Sequence, residues 1–386
     1  MSRSTADRTG ALDSAPNGAD WSEERVRTPR LALRPWMPAD APAVHAACAD
    51  PEIQRWLPLP SPYTPADAEH WVTEGGQLLR RAGDGLACAV VDRSTDRLVG
   101  SVELRLHPTL RHCAEVGYWI AAWARGRRYA AEAVDGLCRW AYRHGVVRVE
   151  LRTAVPNVAS QRVAMRAGFV REGLARSGAP AENGFDDAVV FARLATDPGT
   201  PAPRPLPDLD ELSDGVVSVR PLGGGDEAAV AAERSDAEVK RWSPTSGGWT
   251  RADAERLARS AASAWLSGTE ARFAIVDAAT GRYVGSVGLR MTVPAFGVAE
   301  LGYSMLPGWR RRGYMTRALN LIRTWAFDQV GLVRLELGTA LGNRASQHTA
   351  ERAGFAREGV AKRRLPTPDG GRVDEVRYGL TRPDVG

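Results

Sequence analysis

A cluster of positive charge precedes an apolar helical pattern in the second half of the chain. Residues 308–315 read Gly-Trp-Arg-Arg-Arg-Gly-Tyr-Met. The first amides of a helix lack backbone acceptors, and the helix dipole favours negative charge there. Glycine lets the main chain approach a ligand closely, and arginine donates charge-assisted hydrogen bonds to phosphate oxygens. The pattern predicts an anion held at a helix N-terminus; a merely solvated charge run is the alternative.

The same pattern occurs twice, because the chain consists of two similar halves. "EVGYWI" at 115–120 corresponds to "ELGYSM" at 300–305, and the long segment 146–173 corresponds to 332–359. The offset is 185 or 186 positions and the order of the matching segments never changes. Long collinear similarity of this kind predicts two copies of one domain.

These repeats, together with composition, predict the domain boundaries. The first residues lack apolar pattern, so we predict a disordered tail at 1–24. We predict an N-terminal domain at 25–195 and a C-terminal domain at 215–386. Between them, residues 196–214 are rich in proline, which favours an extended, semi-rigid linker.

Composition excludes several classes of function. The 386 residues carry a formal net charge of only +5, which is too small to favour nucleic acid as a partner. Cys48, Cys88, Cys113 and Cys138 form no CxxC pair, so we expect reduced packing residues and no metal site. No apolar run approaches the roughly 18 residues of a membrane span, and the N-terminus does not resemble a secretory signal. We expect a cytoplasmic protein with no membrane partner.

Hydrophobic periodicity predicts the same elements in each copy. Each begins with a short strand and polar helical segments, followed by a hairpin such as "FAIVDAATGRYVGSVGL". After a further strand and the arginine turn, apolar residues recur at spacings of three and four, which indicates one buried helical face. A strand, a second helix after Asn157 or Asn343, and closing strands complete the copy. The pattern is that of an α+β fold, a mixed sheet with helices packed on it.

At this point the sequence resembles the GCN5-related N-acetyltransferase (GNAT) superfamily. Arg310-x-x-Gly313-x-Met315 after Glu300-Leu301-Gly302-Tyr303 is similar to its acyl-CoA signature. Asn343-x-x-Ser346 followed by Gly354-Phe355 resembles the branch of ribosomal-protein N-terminal acetyltransferases (RimJ/RimL-like). The first copy offers the corresponding residues Glu115, Gly117, Tyr118, Arg125, Arg128, Ala130, Asn157 and Ser160. The resemblance implies two tandem GNAT domains, each a mixed, mostly antiparallel sheet with helices on both faces.

The resemblance also implies a site in each copy. Acetyl-CoA, or another acyl-CoA, would be the co-substrate, and no metal is expected. The implied catalytic residues are Glu300, Ser346, Glu115 and Ser160. The implied cofactor-binding residues are Met305, Leu306, Arg310, Arg311, Arg312, Gly313, Tyr314, Met315 and Asn343 in the second copy, and Ile120, Arg125, Gly126, Arg127, Arg128, Tyr129, Ala130 and Asn157 in the first.

The implied reaction is direct transfer of an acyl group to a primary amine in a ternary complex. Glu300 would remove a proton from the alkylammonium, which is mostly protonated at neutral pH. An amide near Met305 would stabilise the oxyanion, and Ser346 would donate to the leaving thiolate. Structural alternatives stand beside these roles: a salt bridge for Glu300, a helix cap for Asn343, and a first-turn helix serine for Ser346.

Both copies depart from the family pattern, and the departure in the first copy favours the second copy for catalysis. The second copy ends its turn in Met315 where glycine or alanine is usual, and the first has Arg128 where glycine is usual. A side chain at 128 could crowd the diphosphate, so we favour the second copy for catalysis. We expect the acceptor to be an amine-bearing small molecule, a peptide or a protein N-terminus, and the protein to be a monomeric pseudo-dimer or a homodimer. The rival function is a non-catalytic CoA-binding regulatory or scaffold pair.

Overall fold

The computed structural model describes residues 20–110, 112–181, 184–202, 204–243, 249–367 and 370–382. The chain divides into two compact units, Met1–Pro203 (unit 1) and Arg204–Gly386 (unit 2). Residues 1–19 of the predicted tail at 1–24 lie outside the described residues. From Asp20 the chain is packed: Trp21 is buried and meets Trp140 edge to face, with ring centroids 5.0 Å apart.

Among its described residues, unit 1 has eight strands and six α-helices. The strands are β1 (Val26–Arg27), β2 (Leu31–Arg34), β3 (Gly85–Asp92), β4 (Arg97–Leu106), β5 (Cys113–Ile120), β6 (Arg148–Ala154), β7 (Val170–Ala181) and β8 (Gly184–Leu194). The helices are α1 (Ala41–Cys48), α2 (Pro51–Trp56), α3 (Pro65–His70), α4 (Gly76–Arg81), α5 (Tyr129–Arg143) and α6 (Val158–Arg166). A π-helical turn at Trp71–Gly75 joins α3 to α4.

Unit 2 repeats this arrangement with one helix fewer among its described residues. Its strands are β9 (Leu212–Ser213), β10 (Val217–Pro221), β11 (Glu270–Asp277), β12 (Tyr283–Val293), β13 (Val298–Met305), β14 (Arg334–Ala340), β15 (Ala356–Pro366) and β16 (Arg372–Thr381). Its helices are α7 (Glu227–Ser235), α8 (Ala237–Trp242), α9 (Arg251–Ser267), α10 (Tyr314–Asp328) and α11 (Arg344–Arg352).

Each unit is built on one eight-stranded mixed sheet. The strand order is β1-β2-β3-β4-β5-β6-β8-β7 in unit 1 and β15-β16-β14-β13-β12-β11-β10-β9 in unit 2. Every pairing is antiparallel except β5 with β6 and β13 with β14. Each parallel pair is joined through a helix, α5 or α10, as parallel strands require. The mixed, mostly antiparallel sheet predicted from the sequence is confirmed.

Helices cover both faces of each sheet, so each unit has a hydrophobic core on either side of its sheet. In unit 1, α5 packs on one face with Val102, Leu137 and Trp140, and α1 and α3 cover the other. All eight residues of β3 are buried as a result. In unit 2, α10 contributes Leu319 to the larger core, and α7 and α9 form the smaller one. The apolar helical face predicted after the arginine turn is confirmed, because all six of its residues are buried: Met315, Ala318, Leu319, Ile322, Trp325 and Ala326.

The proline-rich segment between the repeats belongs partly to each unit. In unit 1 the amide of Ala202 donates to the carbonyl of Met165 at 2.9 Å. In unit 2 Leu206 is buried in the larger core, and Trp265 donates its indole N–H to the carbonyl of Pro207 at 2.9 Å. Each unit therefore uses part of the segment predicted as linker to cover its own surface.

Candidate active site

The parallel strands of each sheet separate after a few residues. In unit 2, β13 and β14 pair from Val298–Arg334 to Leu301–Leu337, and β13 then continues to Met305. In unit 1, β5 pairs with β6 only from Cys113 to Glu115. The pairing of β13 with β12 on its other side continues to Met305. A gap therefore opens between β13 and β14, and the β13 edge that faces the gap presents backbone groups to it.

The amide of Met305 points into this gap. The next amide, that of Leu306, donates to the carbonyl of Val284 at 2.9 Å on the β12 side. Successive residues of a strand direct their backbone groups to opposite edges, so the amide and carbonyl of Met305 face β14. The Met305 carbonyl accepts from Arg310 Nε at 3.1 Å.

Arg310 and its counterpart Arg125 brace the turn that follows the strand. Arg310 also pairs with Asp236, the N-cap of α8. In unit 1, Arg125 donates Nε to the carbonyl of Ile120 at 3.3 Å and pairs with Asp50, the N-cap of α2, at 2.8 Å. Each guanidinium therefore links the end of the strand to the N-terminus of a helix, α8 or α2. Several of its N–H donors are thus already used within the protein.

Two residues in each arginine turn adopt the left-handed conformation. They are Arg311 (φ 60°) and Gly313 (φ 81°) in unit 2, and Gly126 (φ 78°) and Arg128 (φ 63°) in unit 1. Each unit thus places glycine at one left-handed position and arginine at the other. Arg128 tolerates the conformation of Gly313, so the backbone follows the same course in both turns. The backbone therefore does not distinguish the two units, and crowding of the diphosphate by the Arg128 side chain stays a prediction.

These turns lead into helices whose first amides have no side-chain cap. The N-cap positions are Gly313 and Arg128, and neither makes a capping bond. The first helical bonds run from the amide of Arg317 to the carbonyl of Gly313 (3.1 Å) and from Glu132 to Arg128 (3.3 Å). The three amides before each, at 314–316 and 129–131, therefore point away from the helix. Such a set of amides at the positive end of a helix dipole is an anion-binding concavity.

A tyrosine in the first helical turn fixes each concavity to the sheet. Tyr129 donates its phenol hydroxyl to Asp92, and Tyr314 donates to Asp277 at 2.6 Å. Hydrogen bonds from Ser94 and then Tyr129 lower the pKa of Asp92 to about 2. Arg127 lies over the Tyr129 ring at 4.8 Å from its centroid.

The last helix of each unit, α6 or α11, begins with an asparagine cap. Asn343 Oδ1 accepts from the amide of Ser346 at 3.1 Å, and Asn157 accepts from Ser160 at 3.0 Å. The capping interpretation of Asn343 is confirmed, and Asn157 caps its helix in the same way. The cap also holds the serine in the first turn of α11 or α6, at the end of the strand that borders the gap.

A tyrosine to which the sequence analysis gave no role contacts each of these serines. The Tyr303 hydroxyl lies 3.0 Å from Ser346 Oγ and donates to the Ser346 carbonyl at 3.1 Å. In unit 1, Tyr118 lies 2.9 Å from Ser160 Oγ. Burial raises the pKa of Tyr303 to about 12, so its phenol remains protonated at neutral pH. The only sequence signal was the position of this tyrosine beside glycine in the strand motif.

The glutamate and serine of each predicted pair lie on opposite faces of the sheet. Ser304 reaches Glu233 of α7 on one face, while Tyr303 reaches Ser346 of α11 on the other. Alternate residues of a strand share a face, so Glu300 lies on the side of Ser304. Glu300 itself still pairs with β14, and the gap opens just beyond it, after Leu301.

The two glutamates differ in their surroundings. Glu300 is half-buried and pairs with Arg290, which faces it across β12 and β13. Glu115 is exposed, and Arg105, which faces it across the strands, pairs with Glu103 at 2.5 Å instead. Glu300 therefore has the more defined position of the two.

The sheet face that carries Glu300 in unit 2 is polar, whereas the face that carries Glu115 in unit 1 is aromatic. Glu233 is fully buried and accepts from Tyr283, Ser286 and Ser304, with 2.9 Å to Ser286. At the position of Ser304, unit 1 has Trp119, which stacks on Trp36 with ring centroids 6.5 Å apart. The side chains that surround an incoming acceptor thus differ between the units.

Within the described residues, no group of three or more His, Cys, Asp or Glu side chains could hold a metal ion. Cys48, Cys88 and Cys138 are buried and Cys113 is half-buried, all as free thiols. Over the same part of the chain, none of the helices has both the length and the apolar character of a membrane span.

Comparisons with known proteins identify related sequences for both units. A family model described as acetyltransferase (GNAT) domain matches residues 30–170 and 217–356. The probable N-acetyltransferase YjcK of Bacillus subtilis (strain 168) is 33% identical over 97 residues, which is 25% of this chain and 54% of the relative. The ribosomal-protein-serine acetyltransferase of Escherichia coli (strain K12) is 28% identical over 100 residues, 26% of this chain and 56% of the relative. The chain thus spans about half the length of these two relatives.

Among solved structures, Mycobacterium smegmatis RimJ in complex with CoA-disulfide is 25% identical to this chain. The match covers 47% of this chain and 90% of that one, with a TM-score of 0.42.

Proposed function

The chain belongs to the GNAT acetyltransferase family, whose domain it carries twice, and on that premise we propose that it transfers an acetyl group from acetyl-CoA to a primary amine. Acetyl-CoA is the co-substrate of this family. The transfer proceeds by direct attack of the amine while both substrates are bound. The acceptor is a small-molecule amine, a peptide or a protein N-terminus, and a longer acyl donor is a second option at the same site.

One observation carries this proposal: each unit places uncapped helix amides beside a gap between two parallel strands. The amides at 314–316 suit a diphosphate, because they point outward at the positive end of a 15-residue helix. The free edge of β13 suits an extended chain that adds hydrogen bonds to a strand. The helix amides fit the diphosphate of coenzyme A, and the edge of β13 fits its pantetheine.

The arginines of the turn divide into two roles. We assign Arg310 and Arg125 to bracing, because their guanidinium groups already bind a strand carbonyl and a helix-capping aspartate. The backbone of residues 311–315 and 126–130, with the exposed arginines among them, contacts the diphosphate. Leu306 and Asn343 remain assigned to the same site, at the strand end and the helix cap that border the gap.

Acetyl-CoA supplies the activated thioester when it is bound. Glu300 accepts the proton of the acceptor ammonium on one face of the sheet, directly or through water, and must exchange its contact with Arg290 to do so. The amide of Met305, which faces the gap, donates to the oxygen that gains charge. Ser346, oriented by Tyr303, donates to the departing sulfur on the other face. Glu115 and Ser160 take these roles in unit 1.

A thiol-release assay with acetyl-CoA and a panel of amines tests the proposal. We expect release that depends on the amine and intersecting initial-velocity lines, as a ternary complex requires. Glu300→Gln and Ser346→Ala should lower kcat by about 10²–10⁴-fold at the unit that carries the activity. Glu115→Gln and Ser160→Ala are the matched variants of unit 1, and the pair with the larger effect identifies the active unit.

Parallel initial-velocity lines would contradict direct transfer, because they indicate a covalent acyl-enzyme. Saturable binding of acetyl-CoA without turnover of any amine would instead favour a CoA-binding regulatory or scaffold pair.

A further inference from the structure

A cationic groove lies along helix α10 of unit 2, next to the proposed diphosphate site. Its volume is about 530 Å³, and its lining begins with Gly313 and Thr316 of the turn and first helical turn. Arg317, Arg323 and Arg352 line it further along. The groove is therefore continuous with the amides at 314–316 and extends their positive potential along the helix surface.

One carboxylate, Asp214, shares the groove with these three arginines. Arg317 binds it at 2.8 Å, with 47% of the arginine side chain and 26% of the aspartate side chain exposed. Exposed pairs of this kind contribute little, because water screens them. The amides of Val216 and Val217 hold Asp214 at 3.0 and 2.9 Å, so Arg317 is the partner that can turn to another anion. The lining keeps an excess of positive charge, and a phosphate group can compete with Asp214 for Arg317.

The spacing along the helix fits a second phosphate beyond the diphosphate. At a rise of about 1.5 Å per residue, Arg317 lies about 6 Å and Arg323 about 15 Å from Gly313 along the axis. In coenzyme A the ribose joined to the diphosphate carries a 3′-phosphate, a phosphomonoester with a charge of about −2 at neutral pH. The 3′-phosphate is one ribose away from the diphosphate. That separation is similar to the roughly 6 Å between Gly313 and Arg317 along the helix axis.

The same helix face carries opposite charges in unit 1. Glu132 and Asp135 stand at the helix positions of Arg317 and Asn320. Glu132 pairs with Arg30 at 2.6 Å, and Asp135 pairs with Arg193 at 2.9 Å. A phosphomonoester there would meet carboxylates that are already bound to arginine.

We propose that the groove of unit 2 binds the ribose 3′-phosphate of coenzyme A, and that unit 1 has no equivalent subsite. The inference rests on the proposed function, since it takes the diphosphate to lie at the amides of 314–316. Unit 2 then discriminates between acetyl-CoA and 3′-dephospho-acetyl-CoA, whereas unit 1 binds the two alike.

Titration calorimetry on the full chain with each of these two compounds tests the proposal. We expect at least about a tenfold weaker affinity for the dephospho compound at one class of site, as loss of charge-assisted hydrogen bonds predicts. Arg317→Gln and Arg352→Gln should each reduce that ratio, and together they should bring it close to one. Arg166→Gln, which alters the last residue of α6 where α11 has Arg352, is the matched control and should leave the ratio unchanged.

Equal affinity for the two compounds in the unaltered chain would overturn the subsite while leaving the proposed function intact. So would a ratio that survives the double variant, or one that Arg166→Gln lowers as much. If neither compound binds at millimolar concentration, the proposed function is overturned as well. Arg352→Gln breaks no ion pair within the described residues, so it separates loss of phosphate binding from loss of the Arg317–Asp214 contact.

Discussion

Glu233 is a fully buried carboxylate that three hydroxyl groups satisfy, and its removal should destabilise unit 2 strongly. Tyr283, Ser286 and Ser304 donate to it from β12 and β13. Glu233→Ala leaves these three hydroxyls without their acceptor in a buried site. Each such loss costs about 1–3 kcal/mol, while the desolvation cost of the carboxylate is recovered. We expect a net loss of about 3 kcal/mol.

This loss is large enough to measure by thermal or urea unfolding followed by tryptophan fluorescence. For a unit of this size, 3 kcal/mol corresponds to a fall in Tm of about 6–12 °C. Glu233→Gln keeps one acceptor oxygen and should fall between the unaltered chain and Glu233→Ala. Glu255→Ala removes a glutamate from the exposed Arg251–Glu255 pair of α9 and should change stability by less than about 0.5 kcal/mol.

Two outcomes would contradict the expected effect of Glu233 on stability. If Glu233→Ala unfolds within about 0.5 kcal/mol of the unaltered chain, the hydroxyl cluster contributes no net stability. The position of Ser304 in the strand that borders the gap must then be maintained by other contacts. If Glu233→Gln is the less stable of the two variants, the carboxamide has introduced an unpaired donor, and the assumed match of acceptor to hydroxyls is wrong.

Three further outcomes follow from the site geometry. Tyr303→Phe should lower kcat about tenfold without changing the KM for acetyl-CoA, because it removes one hydrogen bond to Ser346; an unchanged kcat would remove Tyr303 from the account. Gly313→Arg should cost about 1–2 kcal/mol in urea unfolding, since a Cβ there meets open space but φ is left-handed; a cost above about 4 kcal/mol would mean that the turn resists a side chain. Asp92 has a pKa of about 2, below its ordinary 3.8, so its stabilising effect is present above pH 4 and is lost as pH falls through 2. The stability difference between the unaltered chain and Asp92→Asn, measured by urea unfolding, should therefore shrink between pH 4 and pH 2, and a constant difference would contradict it.

Local patterns in the sequence were sufficient for the repeat, the hairpins and the buried helix faces. The apolar spacing from Met315 to Ala326 requires one buried face whatever packs on it, and the asparagines before α6 and α11 cap through their own backbone neighbours. The same holds for the mixed sheet, because the parallel pair needs a helical crossover.

Contacts between distant segments were not predictable in this way. Tyr303 and Ser346 meet across 43 positions, and Arg310 meets Asp236 across 74. The left-handed conformation of Arg128 was not predictable from residue type, because residues other than glycine seldom adopt it. The structure shows that the left-handed backbone admits arginine there, as it does at Arg311. The contacts between distant segments and the conformation of Arg128 both depend on tertiary packing, which the spacing of residues in the sequence does not predict.

The location of acetyl-CoA in a crystal of the full chain tests the central claim most directly. We expect diphosphate oxygens within hydrogen-bond distance of the amides at 314–316, at 129–131 or at both, with the thioester in the gap between β13 and β14 or between β5 and β6. A nucleotide bound elsewhere, or both gaps empty at saturating acetyl-CoA, would contradict the assignment of these gaps as acetyl-transfer sites.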